Sequence, residues 1–275
     1  MRTVLTIAGF DPSSGAGVTA DLTVFAAHGL FGTACITALT VQSTLGVESS
    51  HAVEWRIVAD TLACLDADLR PDGIKIGMLG SSSNIRIICE YIDTFHLMDD
   101  GIAKWNGMVV LDPVLRSSSG RELLDAEGLK VLQDELLPRV DWITPNTDEL
   151  ELLAGVSVRR REDVPAACRR LQELVGRGIN RKTLGILATG GHLEQPDDYL
   201  LTPGGEDAWL AGEHVETRST HGTGCAFSSA FLSRLVQGDG PSEAAAGAKS
   251  YVVRALKTAE PIGHGRGPMN LLVRT

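Results

Sequence analysis

The sequence predicts an α/β fold with a mainly parallel central sheet, helices on both faces and a small antiparallel edge. Three observations carry this. Short apolar runs alternate with amphipathic stretches almost to the C-terminus. The runs are continuously apolar, as strands covered on both faces are. The rhythm breaks between Asp197 and Val215, where Asp198–Thr202, Pro203-Gly204-Gly205 and Asp207–Leu210 read as a hairpin.

Taken in order, Val4–Ala8 is the first strand, followed by a Gly/Ser-rich loop and a helical pattern through His28. Thr33–Val41 is a second strand, and Gln42-Ser43-Thr44 reads as the loop after it. Val58, Leu62, Leu65 and Leu69 stand at helical spacing. Gly73–Leu79 reads as a strand, Ile85–Phe95 as a helix, and Met108–Leu111 as a strand stopped at Asp112-Pro113. Leu129, Leu132 and Leu136 mark a helix, Trp142–Thr144 a short strand, Val164–Val175 a helix and Leu184–Ala188 a strand. Helices over about 224–236 and 242–259 close the chain. No repeat, linker or composition shift divides it, so residues 1–275 are expected to form one domain.

The composition excludes several classes. A net charge of −10 opposes a dedicated nucleic-acid binder, whose surface would be basic. The N-terminus MRTVLTIAGFD lacks a signal-peptide pattern, and no apolar run approaches the roughly 18 residues of a membrane span. A cytoplasmic protein is expected. Five cysteines, widely spaced and without C-x-x-C, argue against disulfides and zinc. Cys89 and Cys168 share helical faces with apolar residues and read as core.

In open α/β sheets ligands bind beyond the carboxyl ends of the strands, where the loops Gly9–Gly17, Gln42–Thr44 and Asp112–Gly120 are expected. His221-Gly222-Thr223-Gly224-Cys225 runs straight into a helix, so its amides can form an anion hole; an ordinary loop-to-helix junction reads the same way. Asn146 and Glu149, three apart at a helix start, can hold Mg2+, but taken alone they read more readily as a purely structural cap. Asp112 places a carboxylate at the end of a buried strand. Neither G-x-x-x-x-G-K-[ST] nor a dinucleotide glycine fingerprint is present, which sets aside P-loop enzymes and nicotinamide oxidoreductases.

In this order the motifs resemble those of the ribokinase-like superfamily, and within it the hydroxymethylpyrimidine kinases. The resemblance runs through Ile7–Gly17, Ala20-Asp21-Leu22, Ile36–Gln42, Lys75–Leu79, Leu111–Val114, Thr144-Pro145-Asn146 with Glu149, Gly190-Gly191-His192, His221–Cys225 and Gly263-His264-Gly265. It implies a ribokinase-like three-layer α/β/α sandwich and ATP-dependent phosphorylation of 4-amino-5-hydroxymethyl-2-methylpyrimidine and then of its monophosphate. By the same resemblance Gly9, Asp21, Gln42, Met78 and Val114 line the pyrimidine pocket. Asn146, Glu149, Thr189, Thr223 and Lys249 serve the nucleotide, with Asp112 and Glu149 at the Mg2+. Gly222, Thr223 and Gly224 receive the transferring phosphoryl group, and Cys225 stands where sugar kinases carry their catalytic aspartate. A helix N-terminus lowers a thiol pKa, which favours Cys225 as a base over a purely positional part. The family implies a homodimer.

Two departures stand out. Relatives often carry lysine where this chain has Ser118 and Thr189, so Arg116 or Arg121 is a candidate replacement. A pyridoxal-type kinase is the nearest rival; Gln42 and Gly77-Met78-Leu79 favour the pyrimidine. A non-catalytic pyrimidine sensor is disfavoured by the Asn146/Glu149 and anion-hole motifs. His221 and Cys225, four apart in a tight loop, make a poor hydrolase dyad.

Overall fold

The computed structural model describes residues 1–97, 105, 107–117, 120–176, 183–191 and 193–273. Ser118 and His192 lie outside the described residues. The elements in chain order are β1 Thr3–Phe10, α1 Gly17–Ala27, β2 Phe31–Ser43, β3 Gly46–Ala52, α2 Trp55–Asp68, β4 Gly73–Ile76, α3 Ser82–Leu97 and β5 Met108–Leu111. They continue with α4 Ala126–Val131, β6 Trp142–Ile143, α5 Thr147–Ala154, α6 Val164–Gly176, β7 Gly185–Ala188, β8 Asp198–Leu201, β9 Asp207–Leu210, α7 Thr223–Gln237 and α8 Pro241–Lys257.

One sheet joins the strands in the order β3-β2-β1-β4-β5-β6-β7-β8-β9. Pairing is parallel from β2 to β7 and antiparallel at both ends. The β8–β9 edge is the hairpin the sequence predicts. The opposite edge differs from expectation: β2 runs on through Gln42 and Ser43 and turns back as β3. Gly46–Ala52 is half-exposed on both faces, so it carries no hydrophobic alternation to read.

Neighbouring residues of the short inner strands feed opposite layers, because side chains alternate across a strand. Leu5, Val109, Leu111, Ile143 and Ile186 pack with Leu62 of α2, Ile85 of α3 and Leu171 of α6. Val4, Val110, Trp142 and Leu187 pack with Phe25 of α1, Phe231 of α7 and Tyr251 of α8. The result is an α/β/α sandwich, with α1, α7 and α8 on one face and α2, α3, α5 and α6 on the other.

Two elements differ in detail. β4 leaves the ladder after Ile76, where a side chain on Gly77 would stand 2.9 Å from Lys75 Nζ. The helix expected around Leu129–Leu136 is α4, then a π-helical turn Leu132–Leu136 and a 3-10 turn Leu137–Arg139. Leu132 and Leu136 still face the core.

Candidate active site

α7 begins without a side-chain cap. Gly222, its N-cap, is held at φ +78°, a left-handed conformation that glycine adopts freely. A Cβ there would lie 1.8 Å from Gly15 O, so the two loops touch backbone to backbone. Ala226 N–H donates to Gly222 O and is the first amide of α7 so satisfied. The amides of Thr223, Gly224 and Cys225 find no acceptor among the described residues. Gly224 is exposed, so this turn opens outward rather than packing against side chains.

Beneath the turn lies a dry cluster of charges. Lys75 and Asp21 are both fully buried, with Lys75 Nζ 3.1 and 3.0 Å from the two Asp21 oxygens. Thr6 Oγ1 and Ser229 Oγ donate to the same carboxylate at 2.6 and 2.8 Å. Asp112 Oδ2 lies 3.9 Å from Lys75 Nζ and accepts from Ser228 Oγ at 3.3 Å. Burial pushes the Lys75 ammonium down, but the Asp21 carboxylate foremost reverses this and leaves it above its usual range. Asp112 is raised by burial, which Lys75 offsets only in part.

This corrects two expectations. Asp21 does not line a pocket: both its oxygens are spent on Lys75, Thr6 and Ser229. Nor does the helix start deliver a Cys225 thiolate. Burial pushes the Cys225 thiol up to about 12, with Asp112 and Asp21 opposing a further negative charge. At neutral pH the thiol keeps its proton and hydrogen-bonds Asp112.

Asn146 and Glu149 form a full capping box at the start of α5. Asn146 Oδ1 accepts from Glu149 N and Glu149 Oε2 accepts from Asn146 N, both at 2.9 Å. The structural reading is therefore realised, yet Glu149 also feels the charge of Asp112. Burial first, then Asp112, raises the Glu149 carboxyl to about 8, despite amide hydrogen bonds from Asn146 and Leu115. A folded pKa above the unfolded value near 4.5 makes stability fall as pH rises between the two. Glu149→Gln is expected to flatten that fall in urea denaturation midpoints measured from pH 5 to 8.5; parallel profiles for both proteins would refute it.

Thr189 bridges to Asn146, and its N–H donates to Pro145 O at 2.8 Å, so these nucleotide-side candidates do meet. Lys249 does not join them directly. Its Nζ bonds Asp198 Oδ2 at 2.7 Å and Pro196 O at 2.8 Å, and Asp198 Oδ1 in turn accepts from Gly190 N. Lys249 is thus tied to the antiparallel edge. Arg116 pairs with Glu122 on the surface, and Arg121 lines an open groove with Ser43, Leu45 and Glu48. Neither arginine contacts Asp112 or Glu149 among the described interactions.

On the other side of the turn, Gly9 and Met78 are in contact: a Cβ on Gly9 would stand 2.8 Å from Met78 Sδ. Val114, half-buried, follows the tight Asp112 turn through its N–H to Asp112 O at 2.8 Å. Register irregularities fall at Ala8/Gly9 in β1 and at Val41/Gln42 in β2. Bulges re-aim side chains, and here they sit at two of the pocket candidates. Gln42 meets His221, whose Nε2 lies 2.7 Å from Asp11 Oδ2. Burial raises the Asp11 carboxyl, but the His221 and Ser13 hydrogen bonds outweigh it and hold the group below its usual range. The His221 ring is engaged with Asp11 and Gln42 rather than with Cys225.

Lys75, Asp11 and the Ser228-Ser229 pair were not legible as site residues. A lysine inside the apolar strand Gly73–Ile76 was the one signal available, since a charge there must find a buried partner. Among the described residues no group of three or more His, Cys, Asp or Glu gathers as a metal site, and no helix is long and apolar enough to cross a membrane.

With this geometry in view, comparison with known proteins is direct. A sequence profile described as phosphomethylpyrimidine kinase matches residues 11–270. The hydroxymethylpyrimidine/phosphomethylpyrimidine kinase of Escherichia coli K12 is 37% identical over 273 residues, covering 97% of this chain and 96% of that protein. The thiamine biosynthesis bifunctional protein ThiED of Geobacter sulfurreducens is 37% identical over 97% of this chain, which spans only 51% of that longer protein. Among solved structures, phosphomethylpyrimidine kinase of Clostridium difficile 630 superposes with a TM-score of 0.77 at 32% identity, covering 94% of this chain and all of that one. An ADP complex of Bacillus subtilis pyridoxal kinase gives 0.82 at 28%, covering 98% and 96%. The fold is therefore ribokinase-like, and the chain belongs to the phosphomethylpyrimidine kinase family, the phosphotransferases of thiamine biosynthesis.

Proposed function

We propose that residues 1–275 act as one kinase domain that uses ATP and Mg2+ to phosphorylate 4-amino-5-hydroxymethyl-2-methylpyrimidine, and then its monophosphate, in the cytoplasm. The single observation that carries this is the outward-facing Thr223–Cys225 amide turn, set between the Asp112/Glu149 pair and the Gly9–Met78–Gln42 side. Phosphoryl transfer asks a protein mainly for alignment and charge neutralisation. The free amides at the start of α7 would hold the transferring group, and Gln42 would pair with the aminopyrimidine edge.

Asp112 and Glu149 fit Mg2+ in their donor chemistry. The Asp112 carboxylate helps to raise the buried Glu149 carboxyl, and a divalent cation would relieve that repulsion. Held there, the cation would supply neutralisation of phosphate charge. Since the thiol of Cys225 stays protonated, its part would be to place the attacking hydroxyl, leaving Asp112 as the nearest carboxylate for the proton. In a loose transition state the hydroxyl proton leaves late, so a weak acceptor suffices. A homodimer is consistent with Leu39 and Val41 of β2, each 49% exposed.

The test is ADP release with the alcohol, its monophosphate and pyridoxal in parallel. Turnover is expected with the two pyrimidines, and at least tenfold lower kcat/KM with pyridoxal. Efficient pyridoxal turnover with none on either pyrimidine would replace this reading by the pyridoxal kinase alternative.

A further inference from the structure

His221 is anchored on every side. Its N–H donates to Gly267 O at 3.1 Å, and the ring lies so close to Gly15 that a Cβ there would stand 2.2 Å from Cδ2. The ring nitrogen Nε2 meets Asp11 Oδ2 at 2.7 Å. That carboxylate also accepts from Ser13 N at 2.8 Å, Ser13 Oγ at 2.7 Å and Ala16 N at 3.0 Å. A group that accepts from so many donors is ionised, so the proton between it and the imidazole resides on Nε2.

The same nitrogen lies 3.0 Å from Gln42 Nε2, while Gln42 Oε1 lies 3.2 Å from Thr40 Oγ1. Facing an imidazole N–H with an amide N–H sets two donors together. A half-turn of the amide leaves its outline unchanged and removes the conflict. Oxygen then faces the one His221 Nε2–H and shares it with Asp11 Oδ2, and the NH2 group donates to Thr40 Oγ1. Thr40 has a lone pair for it, because its own proton goes to Phe10 O at 3.0 Å. This orientation leaves no donor facing a donor.

We propose that Asp11, His221 and Thr40 lock the Gln42 amide in this one orientation, and that the lock selects a 4-aminopyrimidine over its 4-oxo counterpart. The locked amide retains one N–H and one oxygen lone pair, in fixed order. A 4-aminopyrimidine offers the complementary pair, an exocyclic N–H and a ring-nitrogen acceptor. The 4-oxo form offers the reverse, a carbonyl acceptor and a ring N–H. A freely turning amide would serve either; a locked one serves the first. Asp11, His221 and Thr40 are positioning residues in this scheme, which rests on Gln42 being the pyrimidine contact.

The test compares kcat/KM for 4-amino-5-hydroxymethyl-2-methylpyrimidine with that for its 4-oxo analogue in Thr40→Val, His221→Ala and Gln42→Leu. Thr40→Val and His221→Ala are each expected to lower the amino-over-oxo ratio about tenfold, since a site that hydrogen-bonds its substrate rejects a mismatch through an unpaired group. Gln42→Leu is expected to lower kcat/KM for the amino substrate at least tenfold. A loosened fold would depress both substrates alike and leave the ratio where it was, and Thr40→Val carries the test if His221→Ala fails to fold. An unchanged ratio with Gln42→Leu still impaired overturns the lock. An unimpaired Gln42→Leu overturns the pyrimidine contact, and the lock with it.

Discussion

Replacing Lys75 with Met is expected to destabilise the protein by about 3–5 kcal/mol, the usual cost of removing one partner from a buried ion pair. Lys75 is the cation that both Asp21 and Asp112 share, and Asp21 is as fully enclosed as the lysine itself. Without it, Asp21 remains fully enclosed and Asp112 nearly so, with no cation between them. Thr6 and Ser229 can solvate Asp21 by hydrogen bonds, but they carry no charge. The double variant Lys75→Met with Asp21→Asn should recover part of the loss, because it removes one of the stranded charges. Urea midpoints of the two proteins decide the matter: a loss below about 1 kcal/mol in Lys75→Met would mean the cluster is not held by this cation. The proposed catalytic consequence travels through Asp112, which loses the Lys75 charge that favours its ionised form.

The second large effect is expected at Gly222. Gly222→Ala asks a residue with a Cβ to adopt φ +78° and to displace Gly15 O from 1.8 Å. The left-handed conformation alone costs roughly 1–2 kcal/mol, and the contact must be relieved by moving the turn. Those are the amides proposed to hold the transferring phosphoryl group, where loss of a single preorganised donor costs about 100- to 1000-fold in kcat. A fall of that size is the expected result. Gly205→Ala is the control, since Gly205 has φ +86° but open space around it. Should Gly222→Ala keep kcat within fivefold of the parent, the turn is not the phosphoryl cradle.

Much of the scaffold could be read from the chain because its information is local. Val4–Ala8, Met108–Leu111 and Leu184–Ala188 are apolar runs whose alternate residues serve two cores, and the Pro203-Gly204-Gly205 turn announces the β8–β9 hairpin. The start of α7 and the Asn146/Glu149 cap were legible for the same reason: glycines and cap residues act within three or four positions. What escaped depends on distance along the chain. Asp11 and His221 are 210 residues apart, and nothing in either segment names the other. Asp21 reads as a polar helix residue until Lys75 is seen to arrive from β4, 54 residues on. The Cys225 thiol shows the limit most clearly. The local helix start argued for a thiolate, and the partial burial of the thiol beside two carboxylates pushes the other way.

The backbone contacts of Gly9 with Gly17 and of Gly15 with Gly222 have a mechanical result. They join the proposed heterocycle side and the proposed phosphate side through main chain alone, so a shift of one must carry the other with it. The rim is different: the tip of the β2–β3 hairpin faces Gly120 and Arg121 across an open trough, with no backbone contact of this kind among the described residues.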